Sequence, residues 1–195
     1  RWDQSAQFSS DGTRIAYQSG RWSTVGEILV ARADGSNPVQ LTDGLGRQQG
    51  SPQWSPDGRW IAFDSQREDG TFDVHVIDAA GGPPRRLTPL HSNEHRPSWS
   101  RDGWWVYFAS DRSGRFEVWR VPAQGGESEQ VTDDGGFTCA ESVDGHTLYY
   151  VKRRALRQPL FARPTGGGPE RKVVDEVLGR TFAVADDGLY YFART

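Results

Sequence analysis

The sequence contains no methionine, one cysteine and four histidines in 195 residues. A chain without Met cannot begin at its natural start, so we expect a piece of a longer protein. The single Cys139 excludes an internal disulfide, and its position in a strand entry favours a buried, unreactive thiol. No run of about 18 apolar residues occurs, and we therefore expect no membrane insertion.

The net charge of the chain is also small, and the charged residues are spread evenly along it. The chain has 23 Lys and Arg against 26 Asp and Glu, for a net charge of −3. Its one dense basic cluster is Lys152-Arg153-Arg154. Nucleic-acid binding relies on neutralising many phosphates with a basic surface, so this composition argues against it. The cluster predicts either a contact with an acidic partner or a solvated face.

A short turn motif recurs along the whole chain. It ends in Asp-Gly, with the glycines at positions 12, 58, 103, 145 and 188, so the units are 42 to 46 residues long. In Ser55-Pro56-Asp57-Gly58, Pro presets the backbone, Asp bonds to it locally and Gly accepts positive φ. Units of about 40–50 residues with strand-like content are typical of propeller blades.

Each unit carries a second turn, such as Gly81-Gly82, so we predict two hairpins and four strands per unit. The fold class is all-β: a β-propeller of about four complete four-stranded blades and a half blade. The expected blades are residues 5–50, 51–95, 96–137 and 138–180, with a partial blade at 181–195. An open arc of this kind exposes apolar sheet faces, so we expect self-association through them.

Several positions in the repeat have predicted structural roles. In the first three units an acid opens the third strand and an Arg stands upstream of it, which predicts a cross-strand ion pair in each of them. Trp54 and Trp99 are expected to pack between blades, whereas Glu141 at the same position requires a buried partner or marks an edge. The acids are Glu27, Asp73 and Glu117, and the arginines are Arg21, Arg67 and Arg112.

These motifs resemble the TolB-like β-propeller repeat of bacterial proteins. Unit two has Trp54-Ser55-Pro56-Asp57-Gly58 and Ile61-Ala62-Phe63, and unit three has Ser110-Asp111-Arg112. The resemblance implies a non-catalytic recognition module that binds a protein, a peptide or a small ligand. It also implies two settings: a periplasmic TolB-like protein, or the sensory domain that follows a winged-helix DNA-binding domain in a transcriptional regulator.

The enzyme alternative is the gating propeller of a prolyl-oligopeptidase-like serine peptidase, whose catalytic domain would lie outside this sequence. Within the sequence we find no Gly-x-Ser-x-Gly elbow and no phosphate loop, so we expect no catalytic residue and no cofactor. His91-Ser92-Asn93-Glu94-His95 matches a zinc-peptidase pattern, but Pro89 and Pro97 leave no room for the helix that this chemistry requires.

A looser loop site for a metal or an anion, formed by His91, Glu94 and His95, is one alternative, and a solvated loop is the other. We expect no metal. In propellers, ligands usually contact the central channel or the rim that carries the longer loops. The candidate binding residues on these loops are Arg47, Arg67, His91, Glu94, His95, Arg112, Arg153 and Arg154.

Overall fold

The structure, a computed structural model, describes residues 2–23, 25–178 and 181–193. These residues form four antiparallel four-stranded sheets and one two-stranded sheet, each with its strands in chain order. The predicted all-β propeller with four full blades and a partial one is confirmed. Within the described ranges no helix is long and apolar enough to cross a membrane.

The blades are numbered along the chain. Blade 1 contains β1 (Asp3–Phe8), β2 (Arg14–Ser19), β3 (Glu27–Arg32) and β4 (Val39–Gln40). Blade 2 contains β5 (Gln48–Trp54), β6 (Trp60–Gln66), β7 (Phe72–Asp78) and β8 (Arg85–Arg86). Blade 3 contains β9 (Glu94–Trp99), β10 (Trp105–Ser110), β11 (Glu117–Pro122) and β12 (Glu129–Gln130). Blade 4 contains β13 (Thr138–Glu141), β14 (Thr147–Val151), β15 (Arg157–Pro164) and β16 (Arg171–Leu178), and the partial blade contains β17 (Phe182–Ala185) and β18 (Gly188–Tyr191).

The residues of the repeated Asp-Gly turn form a local hydrogen-bond network. In blade 1 the Ser9 hydroxyl donates to the Asp11 carboxylate at 2.5 Å, which also accepts the Thr13 amide at 3.0 Å. Gly12 follows at φ +68°, where a side chain is strained. The Ser9 hydroxyl contributes most to lowering the pKa of Asp11 to about 2. The same Ser–Asp contact recurs in blades 2, 3 and 4.

Apolar side chains fill the space between neighbouring sheets. Trp54 is buried against Ala16 and Ile28 of blade 1, and its indole N–H donates to the Gln7 carbonyl at 3.1 Å. Trp99 makes the equivalent bond to Gln53 at 3.0 Å. The prediction that both Trp residues pack between blades is confirmed.

Glu141 occupies the same position in blade 4 and has buried partners. The Tyr107 hydroxyl donates to one carboxylate oxygen at 2.6 Å, and the Arg101 amide donates to the other at 2.7 Å. Of the two sequence alternatives, the buried partner is therefore correct. Burial, followed by the Glu141 contact, raises the pKa of Tyr107.

The acid that opens the third strand has a different partner from the predicted one. Thr42 donates its hydroxyl to Glu27 at 2.6 Å and accepts the Ile28 amide at 2.9 Å. Thr132 makes the same two contacts in blade 3 with Glu117 and Val118. The Thr hydroxyl accepts a hydrogen bond from an amide that would otherwise donate to a backbone carbonyl of the fourth strand. The fourth strands of blades 1 and 3 therefore end after two residues.

Blade 4 lacks this threonine and pairs differently. Val174 lies directly opposite Leu160, and backbone pairing continues through the eight residues of β16. The replacement of Leu-Thr by Val173-Val174 therefore lengthens the outer strand of this blade.

The predicted acid–Arg pair is confirmed in blade 2 and wrong in blades 1 and 3. Arg67 lies 3.7 Å from Asp73, whereas Arg21 pairs with Asp3 at 2.9 Å and Arg112 with Glu94 at 3.2 Å. Asp3 and Glu94 are the first residues of β1 and β9, whereas the first residue of β5 in blade 2 is the uncharged Gln48. Arg21 and Arg112 therefore pair with the first strand, which carries an acid in blades 1 and 3. In blade 3 the third-strand acid Glu117 pairs with a different arginine, Arg115, at 2.6 Å.

Candidate functional site

The first strands of the blades form the concave inner face of the arc. β1 contacts β5, β5 contacts β9, β9 contacts β13 and β13 contacts β17. They enclose a cavity of about 770 Å³ whose lining includes residues from each of these five strands. Clefts of this size are typical of ligand sites in proteins. We call this cavity the channel.

Three of the inner strands carry the same backbone irregularity. Ser5, Ser51 and Arg96 have φ values of +56°, +51° and +56°, and the pairing with the second strand shifts register beside each of them. Such bulges redirect a side chain, and non-glycine residues at positive φ store strain that is often found at binding sites. All three residues line the channel.

The end of the channel near the Asp-Gly turns is more apolar. Phe8 and Val143 line it and are 60% and 43% exposed. Pro56 and Arg101 complete this end, and Arg101 donates to the Val184 carbonyl at 3.2 Å. The channel therefore has strained polar backbone and Arg96 at one end, and exposed apolar side chains together with Arg101 at the other.

Arg96 is the charged side chain at the bulged end of the channel. Its backbone amide donates to the Asp64 carboxylate at 3.0 Å, which fixes the bulge. In the part of the chain that the structure describes, its guanidinium makes no hydrogen bond and no ion pair. Burial lowers the pKa of Arg96; the negative charge of Asp64 opposes this shift, and the positive charge of Arg154 adds to it.

His95 lies beside Arg96 in an aromatic cluster. Its ring is 4.4 Å from that of Phe72 and 5.8 Å from that of Phe116, measured between centroids. Phe116 in turn packs edge-on against Phe137 at 5.1 Å. Burial lowers the pKa of His95, so the imidazole is neutral at pH 7 and presents a flat, largely apolar surface.

His91, Glu94 and His95 do not converge on one ligand. Glu94 and His95 belong to strand β9 and not to the predicted loop, and the Glu94 carboxylate is fully buried. It accepts hydrogen bonds from Ser92, Ser110 and Arg112, while His91 is exposed. Across residues 2–23, 25–178 and 181–193, no group of three or more His, Cys, Asp or Glu side chains is arranged to hold a metal.

Most of the other predicted arginines have partners within the protein. Arg47 pairs with Glu68 at 3.3 Å, and Arg67 pairs with Asp69 at 3.3 Å. Arg112, besides its bond to Glu94, lies 4.6 Å above the Trp119 ring. The remaining two, Arg153 and Arg154, are exposed in the loop before β15. Of the eight candidates, His95 and Arg154 lie beside the channel residue Arg96.

The prediction of a buried thiol is also confirmed. Cys139 lines the channel wall but is 5% exposed, and its sulfur is 3.5 Å from the Ser98 hydroxyl. Burial raises the pKa of Cys139 to about 12. A thiol with this pKa is not a nucleophile at neutral pH.

A family comparison agrees with this architecture. The model of the TolB beta propeller domain matches residues 4–189. The chain belongs to this family. Among solved structures, a putative TolB from Agrobacterium tumefaciens is similar to this TolB-family propeller, with a TM-score of 0.85 and 25% identity, covering 97% of this chain and 74% of that one.

Two curated relatives match parts of the chain. The uncharacterized protein Atu1656 of Agrobacterium fabrum is 39% identical over 100 residues, which cover 50% of this chain and 34% of that protein. The uncharacterized peptidase YuxL of Bacillus subtilis is 34% identical over 89 residues, which cover 43% of this chain and 13% of that protein. The matches therefore span about a third of the length of Atu1656 and about an eighth of the length of YuxL.

Proposed function

We propose that this propeller is a non-catalytic recognition module that binds a protein or a peptide in its channel. The observation that carries the proposal is the 770 Å³ cavity, which draws its lining from the first strand of each blade. TolB-like propeller domains are generally non-catalytic, and the function of a propeller resides in the surfaces grafted on its scaffold.

The lining of the channel favours an extended polypeptide. Its walls combine exposed apolar side chains such as Phe8 with polar groups such as Gln53 and Ser98. A peptide presents the same alternation of backbone polar groups and side chains, whereas a purely apolar ligand leaves the polar wall without partners. In a larger bacterial protein, such a module serves as the sensory or interaction domain, periplasmic in a TolB-like setting.

The test is a selection of short random peptides displayed on phage against the immobilised chain. We expect enriched sequences that bind wild type and bind the channel-filling variant Ala6→Trp at least about tenfold more weakly. Ala6 is exposed and lines the channel, so the larger ring occupies ligand space without entering the core. The matched control is Ala33→Trp, because Ala33 is equally exposed but lies in the outer hairpin between β3 and β4.

Two results would argue against the proposal. One is the absence of any enriched peptide. The other is a set of peptides that bind Ala6→Trp and wild type equally well, which would place recognition outside the channel.

The second candidate is the gating propeller of a serine peptidase, and the observation that favours it is the 34% identity to a protein named as a peptidase. In that case the full-length parent protein hydrolyses short peptides, and the Ala6→Trp change alters which peptide lengths are accepted. A parent protein without a Gly-x-Ser-x-Gly elbow would exclude this candidate.

Self-association through open blade faces stays a prediction. β18 and the residue after it expose aromatic side chains, with Tyr190 at 54% and Phe192 at 69% exposure. Light scattering over a concentration series should show a dimer or larger species, which the change Tyr190→Ser should weaken. A strictly monomeric chain would contradict the expectation.

A further inference from the structure

We propose that Arg96 binds a carboxylate group of an acidic peptide at the bulged end of the channel. This inference rests on the proposed function and names the chemical class of the ligand.

The first argument is the state of the Arg96 side chain. It is half-buried and lines the channel, yet within the described residues its guanidinium makes no hydrogen bond and no ion pair. A partly desolvated cation without directly bound acceptors is unfavourable, and an incoming carboxylate supplies the missing hydrogen bonds. The bulge recurs at Ser5 and Ser51, so the strained backbone belongs to the scaffold, whereas the arginine is particular to blade 3.

The second argument is the chemistry of the guanidinium. Its planar fork of donors suits a carboxylate, which accepts hydrogen bonds at both oxygens. Arg154, an exposed residue in the loop between β14 and β15, does not line the channel, but its positive charge lowers the pKa values of both Arg96 and His95. It therefore adds positive charge near the site without contacting the ligand.

The nearby negative charges do not occupy this site. Asp64 uses one carboxylate oxygen for the backbone amide of Arg96, and neither of its oxygens comes within ion-pair distance of a guanidinium. Asp111 is bound to the backbone and side-chain nitrogens of Asn93 at 2.9 Å. The neutral His95 ring, stacked on Phe72, adds a flat surface for the apolar part of the ligand.

The experiment begins with the peptides that wild type enriches from the phage library. We expect them to contain Asp or Glu, and we expect synthetic versions with Asn or Gln at those positions to bind about tenfold to a hundredfold more weakly. Arg96→Gly should weaken the acidic peptides by the same factor, and Arg154→Gln should weaken them less. Neither change should affect the Asn or Gln versions.

The matched control is Asn37→Gly, because Asn37 lies between β3 and β4 and does not line the channel. Both Arg96→Gly and Asn37→Gly place glycine at a positive φ, so both relieve backbone strain and both should fold. Only the first removes a charge, and Asn37→Gly should bind the acidic peptides like wild type. Circular dichroism and unfolding temperatures check that each variant is folded.

The outcomes separate the two proposals. Enriched peptides without an acidic bias, or acidic peptides that bind Arg96→Gly as well as wild type, would overturn the carboxylate site and leave channel recognition standing. A library that yields no binder would overturn both. Equal losses in Arg96→Gly and Asn37→Gly would assign the effect to the change of backbone strain and overturn the charge argument.

Discussion

The contact between the third-strand acid and the threonine allows a quantitative test. Thr42→Val replaces the hydroxyl by a methyl group of nearly the same size, so it removes two buried hydrogen bonds without opening a cavity. The Ile28 amide and one Glu27 oxygen lose their partners. Each unsatisfied buried group costs about 1–3 kcal/mol, so the free energy of unfolding should fall by about 2–6 kcal/mol. For a chain of this size the melting temperature should fall by about 10 °C.

Blade 2 supplies an internal comparison. Thr88 accepts the Val74 amide at 2.8 Å, but Asp73 there bonds to Arg86, so Thr88→Val loses one hydrogen bond and no carboxylate contact. Its cost should be about 1–3 kcal/mol. Thr42→Ser keeps the hydroxyl and should cost least of the three.

The pH dependence of stability separates the contribution of the Glu27 carboxylate from that of the Ile28 amide. Burial already raises the pKa of Glu27, and the loss of the Thr42 hydroxyl raises it further. A raised pKa in the folded state means that stability is lost as pH rises through that pKa. The penalty of Thr42→Val should therefore be larger at pH 8 than at pH 5, whereas that of Thr88→Val should not change.

Urea unfolding followed by tryptophan fluorescence measures all three variants. A penalty below about 0.5 kcal/mol for Thr42→Val, or one that is the same at both pH values, would refute the reasoning.

Three further predictions concern the turns and the inter-blade contacts. Gly12→Ala should cost about 1 kcal/mol in thermal unfolding, because φ is +68° although the space around it is open. Acidification should destabilise the fold as pH falls from about 4 towards about 2. The ionised Asp11 carboxylate stabilises the turn fully above its ordinary pKa of 3.8, and this stabilisation is lost as pH falls to the depressed pKa of about 2. Tyr107→Phe should cost about 1–3 kcal/mol in urea, because it removes a buried donor from Glu141.

Each of these has its own control. Gly166→Ala has open space and no positive φ, and it should leave stability unchanged or improve it. An NMR titration of Asp11 with a midpoint near 3.8 would contradict the turn network. Tyr149 is half-buried and its hydroxyl makes no hydrogen bond among the described residues, so an equal loss from Tyr149→Phe would show that the Glu141 contact is not the cause.

The sequence allowed the fold to be predicted because its information is local. The Ser-x-Asp-Gly turns close through bonds between residues two to five apart, such as Ser9 with Asp11, and these need no distant partner. Their regular spacing then sets the number of strands per unit. The inter-blade role of Trp54 followed from the same reasoning, since a large apolar residue repeated at one position needs a neighbouring repeat to cover it.

The partners of charged residues could not be predicted in the same way. The third-strand acid, Glu27, was expected to pair with a nearby arginine, yet its partner is Thr42, fifteen positions along the chain. Arg112 bonds to Glu94 on an adjacent strand. Cross-strand partners depend on register and on which buried group competes for each donor, and neither is encoded in spacing alone.

The sequence by itself determined the repeat, the turn chemistry and hence the propeller class, because these depend on contacts within one unit. Only the tertiary structure decided where a ligand can bind. Arg96 is one of many arginines in the sequence, and it becomes distinctive because the β9 bulge directs it into a channel that several blades build together. The concave surface, and the partial burial of a guanidinium that has no hydrogen bond or ion pair among the described residues, arise only when the inner strands pack side by side.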